Sequence, residues 1–219
     1  MTSASTRPEL VALEIADPPE RWEALGFSVS PDGVIELAGV QLRLGADGEG
    51  IVSWTLRGIA PTEAVDGLPT RVIDQSVDHD GVGVERQGAG GHRGGEGAPV
   101  VHPNGATALD HVVVLTPDFD RTADAVAAAG MPLRRLAERN GARQGFRRLG
   151  PGILEIVQAP QGPTRFWGLV VIVSDLDALA ERLGDLLRRI RPAVQPGRRI
   201  SPLRSEAGLG PAVAFMDPS

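Results

Sequence analysis

Apolar and polar positions alternate along this chain in a pattern that occurs three times. From His111 the run His-Val-Val-Val-Leu-Thr is β-branched and stops at Pro117, which predicts a strand. A helix is predicted next, with Thr116 or Asp118 as its cap, Ala123, Val126 and Ala127 on one face, and Gly130 and Pro132 ending it. Three more strands are predicted near 133–138, 144–149 and 153–157, punctuated by Gly141, Gly150 and Gly152. The same order begins again at Trp167. At an offset of 57, Val113, Val114, Asp118 and Asp120 fall on Val170, Val171, Asp175 and Asp177. Four identities in so short a window point to a duplication. The second helix is predicted over 176–189, where Leu176, Leu179, Leu183, Leu186 and Leu187 share one face. Strands near Val194, 200–204 and 212–216 follow. A weaker copy stands at the front, with a strand over 10–16, a short helix opening on Pro18 and Pro19 and stopped by Gly26, then strands near 27–30, 34–44 and 51–57. Its helix is barely two turns, so this copy reads as degenerate.

Between Gln87 and Gly105 glycine and proline crowd into a polar run, which reads as a linker or mobile loop. Without lysine, a strand leading in or a helix leading out, it is no phosphate-cradling loop. His92 inside it reads as solvated, and His79 and His102, in polar surroundings, read as surface residues.

Composition narrows the chemistry. The 219 residues carry 22 basic side chains, all arginine, and no cysteine or tyrosine. Schiff-base lysines, cysteine nucleophiles, thiolate metal sites, disulfides and tyrosine acids are therefore excluded. The net charge of −6 argues against nucleic acid and anionic membrane as partners. That charge is divided, −9 over 1–106 and +3 from Thr107 onward, as in separate modules. The opening residues lack an apolar leader, and no run approaches the length of a membrane helix, so a cytoplasmic protein is expected. Hydrolase elbows, His-Glu-x-x-His helices and dinucleotide fingerprints are absent.

Three βαβββ units in series, with His111 on a first strand and Glu155 on a last strand, resemble the vicinal oxygen chelate superfamily, the glyoxalase-like proteins. The resemblance is strongest over 108–218. It rests on Leu109-Asp-His-Val-Val-Val-Leu-Thr-Pro-Asp, Gln144-Gly-Phe-Arg-Arg-Leu-Gly, Ile153-Leu-Glu-Ile-Val, Phe166-Trp-Gly-Leu, Gln195-Pro-Gly-Arg-Arg-Ile and Ala212-Val-Ala-Phe-Met-Asp-Pro. It implies an α+β fold in which two βαβββ units pair into a curled sheet enclosing a cleft. The expected organisation is an N-terminal unit over 1–60, a connection over 61–106 and the paired units over 107–219. The superfamily includes lyases, isomerases, dioxygenases, transferases and non-catalytic drug-binding proteins, so the fold does not select a reaction.

The resemblance also places His111 and Glu155 at metal-ligand positions, for Zn²⁺, Fe²⁺, Ni²⁺ or Mn²⁺. The partner unit offers Gly168 and one of Val213, Ala214 or Phe215 where its ligands belong, and none of these ligates. Without metal, His111 serves as general base and Glu155 as its orienter. Arg198 and Arg199 are candidates to hold an anion or oxyanion, and Gln144, Phe146 and Trp167 to line a ligand pocket. Two readings stay open: a glyoxalase-like lyase or isomerase for a small oxygenated metabolite, and a metal-free binding protein of the drug-resistance type. The N-terminal unit needs a partner for its sheet, either extra strands from Gly67 to Val84 or the same unit of a second chain, and the latter makes a homodimer.

Overall fold

The computed structural model describes residues 7–73 and 100–218. His79, His92 and most of the glycine-rich run lie outside them. The first sheet is built from β1 (Glu9–Ile15), β2 (Val34–Leu37), β3 (Val40–Leu44), β4 (Ile51–Arg57), β5 (Ala64–Val65) and β6 (Leu68–Ile73), in the order β2-β3-β1-β4-β6-β5, with the short helix α1 (Pro19–Ala24) after β1. The second comprises β7 (Ala106–Thr116), β8 (Arg135–Arg139), β9 (Ala142–Leu149), β10 (Gly152–Gln158), β11 (Arg165–Val173), β12 (Arg191–Pro192), β13 (Arg199–Pro202) and β14 (Ala212–Met216). Helix α2 (Phe119–Ala128) follows β7 and α3 (Leu176–Leu183) follows β11.

The eight strands lie in the order β12-β13-β14-β11-β7-β10-β9-β8. This is two βαβββ units back to back: in each, the last strand runs parallel to the first, and β7 and β11 join the units antiparallel. The paired fold implied by the resemblance is the fold observed. Asp118 and Asp175, one repeat apart, cap the two helices with their carboxylates. Helix α3 is shorter than its leucine spacing predicts, because the chain leaves it at Gly184 with a φ of 51°.

The front of the chain is organised differently from the expectation. Phe27 to Ser30 form no strand, and the predicted 34–44 strand is a hairpin turning at Ala38 and Gly39, both with positive φ. More importantly, β4 runs antiparallel to β1, as β11 does to β7, so β4 is not the closing strand of a front unit. It opens another one, in which β6 lies parallel to it. The six-strand order reproduces the central six of the larger sheet, β9-β10-β7-β11-β14-β13, without the two edge strands and without a second helix. Residues 64–73, expected as connection, therefore belong to the first sheet. The N-terminal region is itself a trimmed pair of units.

One continuous apolar core joins the two sheets. Val112, Val114, Leu154, Ile156, Leu169, Val171, Val213 and Phe215 form the inner face of the larger sheet, packed with α2, α3 and the first sheet. Phe215 stacks on Phe27 and Phe166 meets Trp54 edge-on across the junction. The first sheet is thus covered within the chain, which removes the reason for expecting a second copy. His102 is buried rather than exposed: its Nδ1 accepts the Ser28 N–H at 3.0 Å and its Nε2 donates to the Glu36 carbonyl at 2.9 Å. No helix of the described residues is long and apolar enough to cross a membrane.

Candidate functional site

The opposite face of the larger sheet carries the titratable cluster. His111, Val113 and Leu115 on β7 pair in register with Ile153, Glu155 and Val157 on β10. Cross-strand partners share a face, so strand alternation places His111 and Glu155 on one side. On β9, Phe146 and Gln144 are opposite Glu155 and Val157, which adds them to the same side. His111 Nε2 stands 3.2 Å from Glu155 Oε2, and Gln144 Nε2 donates to Glu155 Oε1 at 3.1 Å.

Asp110 is the residue that sequence reasoning missed. Alternation sends it to the other face, yet its Oδ2 takes the Nδ1–H of His111 at 2.7 Å. The cause is a β-bulge: Val170 pairs with His111 while Val171 pairs with Leu109, leaving Asp110 as an extra residue turned to the same side as its neighbour. Arg198 then closes the chain of contacts. Its Nη1 donates to Asp110 Oδ1 at 2.7 Å and its Nε to the Asp217 carbonyl at 2.8 Å. The result is a continuous series, Arg198–Asp110–His111–Glu155–Gln144.

The electrostatics along it are graded. Burial works against ionisation of Asp110, but hydrogen bonds from His111 and Arg198, reinforced by their charge, hold its carboxyl below the ordinary range. Burial raises the Glu155 carboxyl above its ordinary range, and the neighbouring Asp110 charge adds to that, against the opposing influence of His111 and Arg139. An ionised Asp110 keeps the proton on Nδ1 of His111 and so makes Nε2 the nitrogen that faces Glu155. Nε2 and the Glu155 carboxyl are therefore placed to exchange a proton across 3.2 Å.

The other expected residues fall in different places. Arg199 faces away from this cluster and bridges Asp177 and Asp217 near the start of α3. Arg198 is held through Nε by the Asp217 carbonyl and through Nη1 by Asp110, while its Nη2 is buried with no partner among the described residues. Phe146 shares the site's face and carries the Arg135 guanidinium over its ring. Trp167 does not join the site: a second bulge, between Phe166 and Gly168, turns it outward, 47% exposed, into the cleft between the sheets.

The resemblance puts His111 and Glu155 at positions that can hold a divalent ion. Their separation suits neighbouring ligands, and Asp110 on Nδ1 is the partner a metal-bound imidazole usually has. The facing unit supplies nothing further. The position equivalent to His111 is Gly168, where a Cβ would stand 2.1 Å from the Ala212 carbonyl oxygen, and the position equivalent to Glu155 is Ala214. No three carboxylate or imidazole groups among the described residues converge on one point. Two protein ligands do not fit a tightly held ion.

Solved structures with a related shape include methylmalonyl-CoA epimerase from Mycobacterium tuberculosis, at 19% identity and a TM-score of 0.47, covering 55% of this chain and 93% of that one. A Streptomyces coelicolor methylmalonyl-CoA epimerase in complex with 2-nitronate-propionyl-CoA matches at 17% and 0.44, over 52% of this chain and 96% of that one. A hypothetical protein from Bacillus halodurans C-125 matches at 14% and 0.43, over 51% and 94%. At these identities and scores the likeness bears on neither substrate nor mechanism. No family model matches the sequence, and no curated protein does.

Proposed function

We propose that the outer face of the eight-stranded sheet binds a small oxygenated molecule and moves a proton on it through the His111–Glu155 pair, without a resident metal. The observation that carries this reading is the braced imidazole: Asp110 fixes its tautomer, Arg198 holds Asp110, and Glu155, with its raised carboxyl, meets the remaining nitrogen. The half-buried Ile153, Leu115, Val157 and Phe146 around the pair provide an apolar floor on which a ligand excludes water. There Nε2 takes a proton from an acidic C–H or O–H, passes it to the Glu155 carboxylate 3.2 Å away, and the carboxyl so formed delivers it to the adjacent atom. An isomerase or lyase acting on a small oxygenated metabolite uses such a pair.

The test follows hydrogen exchange by ¹H NMR. Small 2-oxo and 2-hydroxy acids are incubated with chelator-treated protein in D₂O, and loss of the signal of the C–H next to the carbonyl or hydroxyl is timed. Exchange is expected with at least one acid, falling by about 100-fold or more in His111→Gln and in Glu155→Gln, in line with what positioned acid–base groups contribute. Binding without exchange, unchanged in both variants, supports the second reading, a binding protein that uses only the apolar floor. Exchange that appears only after a divalent ion is restored overturns the metal-free part of the proposal.

A further inference from the structure

The cleft between the two sheets is open to solvent and has a volume of about 580 Å³, and neither His111 nor Glu155 lines it. Three arginines, Arg165, Arg188 and Arg204, reach it together with Trp167, while Glu49 is the acid on its wall. None of these arginines makes an ion pair among the described residues. Glu206, outside the lining, is an exposed carboxylate hydrogen-bonded by Ser205 and set in the field of Arg204 and Arg188. In a chain with an overall charge of −6, an excess of unpaired guanidinium groups around one cavity is a concentrated anion-attracting field. Trp167 is equally out of character. Trp22 and Trp54 are fully buried and hydrogen-bonded, whereas the bulge before Gly168 sets the Trp167 indole half in solvent. The cavity wall is fixed, because Asp17 holds the Gly210 N–H at 2.8 Å and Gly210 abuts Gly50.

We propose that this cleft is a second ligand site, separate from the His111 pair, and that it takes a flat ring bearing a phosphate or carboxylate, with the ring on Trp167 and the anion among Arg165, Arg188 and Arg204. An indole face stacks on planar rings of any composition, and guanidinium groups pair bidentately with both kinds of anion. The volume lies within the range of small-molecule sites.

Trp167 supplies its own readout, since it is the solvent-accessible one of the three tryptophans. Acrylamide quenching is measured while titrating adenosine monophosphate, a ring with a phosphate, and nicotinate, a ring with a carboxylate. Adenosine and inorganic phosphate serve as the separated halves. Saturable protection by at least one ring–anion probe is expected, with each half at least about 10-fold weaker. The Arg188→Ala/Arg204→Ala double variant is expected to lose about 100-fold, at two guanidinium–anion contacts of about 10-fold each, while its thermal midpoint stays within a few degrees. Binding of adenosine monophosphate alone assigns the anion as phosphate, and binding of nicotinate alone as carboxylate. His111→Ala is expected to bind as the wild type does. Three results would overturn the proposal: no saturable protection by either probe, undiminished binding in the double arginine variant, or loss of binding in His111→Ala.

Discussion

At the scale of single residues, Asp110 carries more than its place in the sequence implies. It is 7% exposed and lies between His111 and Arg198, so removing its charge strands a buried guanidinium whose Nη2 already has no partner among the described residues. Asp110→Asn is expected to cost about 3 kcal/mol in urea unfolding, the scale for breaking a buried ion pair from one side. Its lowered carboxyl stabilises the fold fully above the unfolded value of 3.8, and that stability is lost as pH falls through the folded value. Glu155 works in the opposite direction. Its raised carboxyl means that, from 4.5 upward to the folded value, the native state holds a proton the unfolded chain has released, so stability falls as pH rises across that window. In Glu155→Gln this loss is expected to vanish, leaving the variant progressively more stable than wild type as pH rises from 4 to a plateau; an unchanged slope in thermal melts between pH 4 and 8 would refute it. The side of Glu155 within its strand was legible because alternation needs only local information, whereas its meeting with His111 rests on the parallel register of β10 with β7. Asp110 was not, because a bulge is visible only in the pairing of β7 with β11.

At the scale of elements, Gly168 shows why the second unit of the larger sheet carries no counterpart of His111. The repeat aligns it with His111, yet β14 approaches so closely that a Cβ there would meet backbone at 2.1 Å. Backbone cannot swing aside as a side chain can, so Gly168→Ala is expected to destabilise by about 3 kcal/mol, the upper part of the range for overpacking. A thermal midpoint equal to wild type would show that the strands separate freely. The capping aspartates, in contrast, were readable, since Asp118 and Asp175 precede their helices at equivalent places in the repeat. The front unit was misread for the same reason that Asp110 was. Strand, helix and strand order is written locally, whereas the direction in which β4 meets β1 is not, and that direction decides which unit β4 belongs to.

At the scale of the whole molecule, polar latches reinforce the shared core. Asp66, at the β5–β6 turn, accepts hydrogen bonds from Thr122 and Thr164 and pairs with Arg121 at 2.8 Å, tying the first sheet to the start of α2. Burial opposes its ionisation, but the two threonines and Arg121 hold its carboxyl below the ordinary range. Asp17 makes the second tie, from its buried carboxylate to Trp22 and Gly210. Asp66→Ala is expected to cost about 2 kcal/mol, mainly through the lost hydrogen bonds from Thr122 and Thr164 to a charged acceptor, because the Arg121 side of the ion pair is exposed. Since the two sheets share one core, the loss is expected to lower a single cooperative transition in calorimetry; two separate transitions would mean that the sheets unfold independently.

The sequence alone determined the repeat, the order of strands and helices in its second half, and the alternation that sets Glu155 on one side of its strand with Ile153 and Val157. All of these depend on periodicities a few residues long or on a repeated segment. The tertiary structure decided the rest: that Asp110 joins His111, that Arg198 turns inward while Arg199 turns out, that β4 to β6 complete a second paired sheet, and that Trp167 and three arginines from distant segments meet in one cleft. These depend on bulges, strand directions and loop closures, which arise from contacts between residues far apart in the chain and leave no local period to read.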